Sequence, residues 1–302
     1  LIRDMGRLVR EFRPDVVNCH RGESFLFWGL LKGMGGYALV RTRGDQRQPK
    51  GNLPNRILHT RVADAVVATN SVMVRHFAEK MHVPAERLHM ILGGVDTERF
   101  RFAPEGRMEV RARYGFTNDE CVVGLLGRFD LVKGQRETIA ALAKLVGEGV
   151  RNIRLMLLGF STATLQEEVE AWIREAGMER YVTITGKVPD VTACLSALDV
   201  GVVASLWSET IARAALEIMA CGRPLVSTSV GVMPDLLPAS ALVAPGDVDA
   251  LAGVLRRAAT DEAWRRDLAG HCSERIMSLR DKDFLEQTLA VYAEAYRRRC
   301  SS

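Results

Sequence analysis

Two carboxylates eight positions apart, in Glu209-Thr-Ile-Ala-Arg-Ala-Ala-Leu-Glu217, are spaced to hold a long ligand rich in hydroxyl groups. A carboxylate accepts hydrogen bonds from vicinal hydroxyls. On a helix the pair would lie roughly 12 Å apart along the axis. A nucleoside diphosphate joined to a sugar has about that length, so one carboxylate would take sugar hydroxyls and the other ribose hydroxyls. Upstream, Asp199-Val-Gly-Val-Val-Ala204 reads as a strand that turns into the helix at Ser208-Glu209. Unpaired backbone N–H groups at such a helix start would seat a phosphate. The same spacing also fits an ordinary amphipathic helix carrying two solvated acids.

A second group of residues supplies positive charge. Gly127-Arg128-Phe-Asp-Leu-Val-Lys133-Gly134 follows the apolar run Cys121-Val-Val-Gly-Leu-Leu126 and precedes a helical pattern at Gln135. Open α/β sheets bind ligands at the C-terminal edges of their strands. Two cations there would neutralise a diphosphate, the guanidinium in bidentate fashion. If that diphosphate departs as a leaving group it gains negative charge, and fixed positive charge lowers the barrier. Such chemistry requires no metal, and no His/Cys cluster is present to hold one.

The elements that must position these residues alternate along the whole chain, short β-branched runs with helical patterns, which is the mark of parallel α/β architecture. Strands are expected at Asp15–Cys19, Ala38–Thr42, Ala65–Ala68 and Leu88–Leu92, then at Cys121–Leu126, Arg154–Leu158, Val182–Thr185, Val200–Ala204, Pro224–Ser227 and Ala241–Val243. Helices are expected at Leu1–Phe12, Ser24–Lys32, Leu53–Arg61 and Ser71–Met81, and then include Gln135–Gly147, Leu165–Glu175, Val191–Ala197, Ala212–Met219 and Val248–Thr260. Proline and glycine in Glu98-Arg-Phe-Arg-Phe-Ala-Pro104-Glu-Gly106 break the pattern, so the boundary is placed there. Gly33-Met-Gly35-Gly-Tyr-Ala38 fits a loose dinucleotide-binding spacing, but a helix precedes it and a strand follows, the reverse of what that motif needs. It reads as a helix-ending loop, and an NAD-dependent oxidoreductase is disfavoured.

At 302 residues, with 47% hydrophobic and 26% charged residues, the chain has the composition of a globular protein of two domains. No apolar run approaches the roughly 18 residues that span a bilayer. Its six cysteines show neither metal-ligand spacing nor the density of a disulfide framework, so buried free thiols in a reducing cytoplasm are expected. Residues 1–62 hold twelve Lys/Arg against five Asp/Glu, in a chain whose net charge is +4. That basic region, with Arg297-Arg-Arg299, fits either an anionic membrane surface or acceptor, or a set of solvated surface arginines. Nucleic acid is not expected, because aromatics suited to base stacking are not interleaved with the basic residues.

Ser208-Glu209, Ala214-Ala-Leu-Glu217-Ile-Met-Ala-Cys-Gly222-Arg-Pro-Leu-Val-Ser-Thr and Val230-Gly231-Val-Met-Pro234-Asp235 together resemble the signature of family 4 retaining glycosyltransferases. Gly93-Gly-Val-Asp96-Thr-Glu-Arg-Phe100 resembles that family's interdomain linker, with Gly93 for the usual Asn. The resemblance implies the GT-B fold, two Rossmann-like domains facing a cleft. Residues 1–105 would form a partial acceptor-side domain, incomplete at its N-terminus. Residues 106–280 would form the nucleotide-sugar-binding domain, and 281–302 a final helix packing back on the first. It implies transfer of a hexose or heptose from a nucleotide-diphosphate sugar to a cell-envelope glycan or lipid-linked acceptor, as in lipopolysaccharide biosynthesis. Catalysis would need no metal or other cofactor, and would take place in the cytoplasm or peripherally at the inner face of the membrane. Arg128 and Lys133, beside Gly127, would hold the pyrophosphate, and His20 would touch the donor sugar. Glu209, Thr210 and Ile211 would bind the sugar and Glu217 the ribose. The loop Gly186–Asp190, with Lys187 and Val188, would hold the base through its backbone, and the loop with Gly231 would line the sugar and phosphate pocket. Three departures stand out: Thr210-Ile211 replaces the usual Gly-Phe, Val232 replaces a second glycine, and the family's N-terminal glycine-rich loop has no counterpart. Alternatives on the same plan are a nucleotide-sugar epimerase, or a donor-binding remnant without transfer activity.

Overall fold

Every expected β-branched run becomes a strand in the computed structural model, which describes residues 2–45 and 47–301, and every pairing is parallel. In chain order the first part holds α1 (Ile2–Phe12), β1 (Val16–Cys19), α2 (Gly22–Gly35), β2 (Ala38–Arg43), α3 (Leu53–Ile57), β3 (Ala65–Ala68), α4 (Ser71–Arg75) and β4 (Leu88–Met90). Leu1, the expected first residue of α1, lies outside the described residues. The second part holds α5 (Pro104–Tyr114), β5 (Cys121–Leu126), α6 (Gln135–Gly147), β6 (Ile153–Leu158), α7 (Gln166–Glu175), β7 (Val182–Ile184), α8 (Val191–Ala197) and β8 (Val200–Val203). It continues with α9 (Arg213–Ala220), β9 (Leu225–Thr228), α10 (Met233–Leu236), β10 (Leu242–Val243), α11 (Val248–Thr260) and α12 (Glu262–Ile276), and the chain closes with α13 (Asp281–Cys300).

The chain folds as two compact units, residues 2–93 with 282–301, and residues 94–281. In the first unit the sheet order is β1-β2-β3-β4. One face of it buries Leu39, Val66 and Ala68 against Phe25, Phe77 and Met81, and the other buries Ala38, Val40, Ala65 and Val67 against Val291 and Ala295 of α13. Strands buried on both faces read as continuous apolar runs, which is why the sequence pattern was clear. Two expected α-helices change geometry midway. The expected helices at Leu53–Arg61 and Ser71–Met81 widen into π-helical turns at Leu58–Val62 and His76–Lys80. Each widened turn carries a buried ring, His59 and Phe77, whose centroids lie 5.3 Å apart. The Gly33–Ala38 segment ends α2, with Gly36 in the left-handed conformation at its C-cap (φ 70°), and does not open a helix.

In the second unit the order is β10-β9-β8-β5-β6-β7. Connections run outward in both directions from β5 and β8, so the strand order reverses between them, and crevices that bind ligands form at such a point. Gly94–Ala103 packs with this unit. Val95 N–H donates to Leu279 O (2.9 Å), Thr192 Oγ1 to Arg99 O (3.3 Å) and Ala103 N–H to Ser196 Oγ (3.0 Å). Pro104, read in the sequence as part of a break, instead occupies the first turn of α5, where its missing N–H costs nothing. No described helix is long and apolar enough to cross a membrane. Five cysteines are buried free thiols and Cys300 is exposed.

Candidate functional site

The loops leaving the C-terminal ends of β5 and β8 meet at the reversal point. After β5, Asp130 caps a tight turn by accepting from Val132 N–H (3.1 Å). Gly134 then turns with φ 70°, its Cα so near Ala204 that any Cβ would sit 2.0 Å from Ala204 O. This turn sends Lys133 toward the loop after β8, where its Nζ lies 2.5 Å from Glu209 Oε1. Ser205 Oγ donates to the same oxygen at 2.5 Å. Glu209 is 7% exposed, and its main-chain carbonyl accepts from Val232 N–H at 2.8 Å.

The expected helix entry at Ser208-Glu209 is displaced. Residues 206–211 run as irregular loop, and α9 begins at Arg213 behind Ala212, a non-glycine residue held left-handed at φ 54°, ψ 48°. Glu209 is therefore not on the helix, and the 12 Å axial separation inferred from a shared helix does not describe the pair. The cause is local: Glu209 is held by its bonds to Ser205, Lys133 and Val232, which fix the loop until Ala212 reverses it. Glu217 does lie on α9. Burial pushes its carboxyl above the ordinary 4.5, against the opposing charges of Arg213 and Arg99.

These groups line one hollow of about 490 Å³, bounded by Leu126, Gly127, Lys133, Ser208 to Ala214 and Glu217, and by Arg99, Phe100 and Val191. Thr210 and Ile211 are therefore in its wall, as expected from the sequence. An adjoining hollow of about 270 Å³ shares Leu126, Gly127 and Val191 and adds Arg128, Leu158, Gly159, Phe160, Gly186, Lys187 and Val188. Lys187 Nζ stands 4.7 Å above the Phe160 ring. Arg128 and Lys133 thus serve different compartments, and Arg128 pairs with Asp130 at 3.0 Å with its side chain 56% exposed. Gly231 (φ 60°) lines neither hollow. It lies against Glu209, where a Cβ would fall 1.7 Å from Glu209 O.

His20 is exposed, one residue beyond β1 in the first unit. Within the basic region of residues 1–62, Arg41 is not a solvated surface arginine. Arg41 is 1% exposed, donates to Cys19 O (2.8 Å) and Thr42 O (3.3 Å), and lies 5.4 Å over the Phe25 ring. Burial, then the charge of Arg43, brings its pKa down to about 10. Ser205, Arg99, Arg213 and Phe160 were not legible as site residues. Ser205 carried the weak signal of standing at a strand's C-terminal edge, Arg213 opens α9, and Arg99 and Phe160 arrive from loops with no recurring pattern. Two Asp-x-Asp triplets, Asp247-Val-Asp249 and Asp281-Lys-Asp283, occur in the chain. In the first, Asp247 caps α11 and Asp249 pairs with Lys144.

Comparison with known proteins bears on this arrangement. The profile described as "Glycosyltransferase Family 4" matches residues 1–99, and "Glycosyl transferases group 1" matches residues 120–261. The chain belongs to the glycosyltransferases. A D-inositol 3-phosphate glycosyltransferase of Segniliparus rotundus is 26% identical over 275 residues, covering 85% of this chain and 58% of the relative. One from Mycobacterium avium is 30% identical over 224 residues, covering 70% of this chain and 51% of its own length. The chain thus spans little more than half the length of these relatives. The Anabaena protein Alr3699/HepE, solved in complex with UDP, superposes with a TM-score of 0.85 at 20% identity, covering 97% of this glycosyltransferase and 81% of that chain. The two parallel α/β units are those of the GT-B fold.

Proposed function

We propose that this glycosyltransferase moves a hexose or heptose, with retention of anomeric configuration, from a nucleotide-diphosphate sugar to a cell-envelope glycan or lipid-linked acceptor. The observation that carries the reading is the convergence of Lys133, Glu209 and Glu217 on one hollow at the strand-order reversal. Glu217 takes the ribose hydroxyls. The base enters the adjoining hollow against Val188, Lys187 and the Phe160 ring, and the backbone of Gly186–Asp190 reads it. Lys133 and Arg128 hold the pyrophosphate from its two sides, with the N-terminus of α9 beside them. Glu209 and the Thr210-Ile211 wall hold the sugar.

In the transfer step the bond from the anomeric carbon to the β-phosphate oxygen breaks, and the nucleoside diphosphate leaves with the electron pair. The acceptor oxygen bonds to the anomeric carbon on the same face and gives its proton to the departing phosphate oxygen. Lys133 and Arg128 stabilise the charge that develops there. This chemistry asks for no metal. An epimerase is not favoured, because the matching relatives are named as transferases. The same relatives are named for D-inositol 3-phosphate, which makes a phosphorylated cyclitol the first soluble acceptor to assay. Activity at the inner membrane face would draw on the exposed basic residues of the first unit, Arg47, Lys50 and Arg61.

Calorimetric titration with UDP, GDP and ADP tests the donor site. One nucleotide should bind with micromolar affinity, and Glu217→Ala and Arg128→Ala should each weaken it roughly tenfold or more, the worth of a charge-assisted hydrogen bond. Binding that both changes leave intact would overturn the assignment.

A further inference from the structure

We propose that Ser205 is a positioning residue for the donor sugar, acting through Glu209 by fixing which carboxylate oxygen faces the hollow. The inference rests on the donor-site reading above and adds to it a residue that the family resemblance does not mark.

The terminal torsion of a glutamate is soft and nearly two-fold, so an isolated carboxylate exchanges its two oxygens readily. A lysine partner alone does little to prevent this, because an ammonium is a point charge on a flexible stem. In this site both recorded bonds fall on the same oxygen. Lys133 Nζ and Ser205 Oγ each lie 2.5 Å from Glu209 Oε1, so both donors engage one oxygen of a carboxylate that lines the hollow.

Ser205 is suited to impose that asymmetry. It is wholly buried, and its own carbonyl accepts from Thr228 Oγ1 at 2.6 Å, with Thr228 itself 2% exposed on β9. Its neighbour Leu206 N–H donates to Val132 O at 2.9 Å, next to Lys133. The hydroxyl therefore hangs from a frame tied to both flanking loops. Glu209 is fixed at its other end as well, through Val232 N–H on its carbonyl. One oxygen of the carboxylate is saturated by the protein and the other is kept for ligand.

The prediction separates sugar from nucleotide, since the lining of the base hollow and Glu217 make no recorded bond to Ser205. Calorimetric affinities for UDP and UDP-glucose, and for GDP and GDP-mannose, give the ratio of sugar-nucleotide to nucleotide binding. With Ser205→Ala, the nucleotide alone should bind within about twofold of wild type, while the sugar nucleotide weakens roughly tenfold, the worth of one hydrogen bond to a charged group. Ser205→Thr, which keeps the hydroxyl, should restore most of the ratio. Should the added methyl prevent folding at this buried position, Ser205→Cys, with a weaker donor, should fall between wild type and Ser205→Ala. An unchanged ratio in Ser205→Ala, or an equal loss for nucleotide and sugar nucleotide, would overturn the inference while the donor site stands. A wild-type chain that binds none of the four ligands would instead remove the donor-site reading itself, and this inference with it.

Discussion

Both units place charged residues within or beyond the C-terminal halves of parallel strands, and they use them in opposite ways. In the second unit Lys133, Glu209 and Glu217 remain in the wall of an open hollow. In the first, Arg41 sits within β2, two residues before its end, with 1% of its surface exposed, bonded to main-chain carbonyls and laid over an aromatic ring. His59, edge-on against the Phe25 ring, is likewise buried, its Nδ1 2.7 Å from Asn55 O. Charges on the C-terminal side of a parallel sheet therefore line a hollow in one unit and are built into the core in the other. A charged residue type at a strand end does not by itself announce a site; the side chain must also be left with solvent or ligand to face.

Three changes would break or sharpen that contrast. The largest effect is expected from Arg41→Ala, which removes charge-assisted bonds and leaves a cavity under Phe25. It should destabilise the first unit by about 4 kcal/mol in urea unfolding, with nucleotide affinity in the second unit unchanged. Loss of nucleotide binding without loss of stability would reverse the assignment.

Acid should expose the first unit next. Burial, followed by the charges of Arg41, Arg43 and His76, lowers the pKa of His59 from 6.5 to about 4 even though its bond to Asn55 opposes the shift. The unfolded chain then binds a proton more readily than the folded one. The stability from this residue is complete above 6.5 and is lost as pH falls through about 4, a difference of roughly 3 kcal/mol. Hydrogen exchange followed from pH 7 to 4 should show first-unit amides losing protection, and His59→Leu should flatten that dependence. Equal slopes in the two proteins would show that other groups govern the acid response.

The smallest effect belongs to Ala212, a non-glycine residue held at φ 54°. A left-handed L-residue costs roughly 1 kcal/mol, so Ala212→Gly should raise the stability of the second unit by at most about that much, because glycine also gains unfolded-state freedom. A thermal melt of the variant measures this directly, and a drop in stability would mean that the methyl group's packing outweighs the strain.

Much of the fold was readable because parallel strands buried on both faces are written as unbroken β-branched runs; Cys121–Leu126 and Ala65–Ala68 were delimited to the residue. Helices were less legible where charge hides the apolar face. The segments that form α5, with arginines at 107, 111 and 113, and α12, with acids and arginines on several sides, gave no clear stripe. In α5 the Arg111 side chain is itself buried, donating to Ala197 O and paired with Asp199, so polarity in the sequence did not mean exposure. Lys133, Glu209 and Glu217 could be nominated from residue type and position after a strand. Arg99 could not, because what makes it part of the site is Glu217, far along the chain, and Ser205 and Arg213 could not because their roles depend on how the loop between Ser205 and Ala212 turns.

Gly231 gives the site a particular mutational character. Its missing side chain is what lets the loop after β9 rest on the carbonyl of Glu209, where a single added carbon would fall 1.7 Å from that oxygen. A substitution there would displace the backbone that carries the Glu209 carboxylate before it disturbed any strand. Drift at this position would therefore register first as a reshaped wall of the hollow and only later as a loss of folded protein, which makes residue 231 a lever on the hollow that it does not itself line.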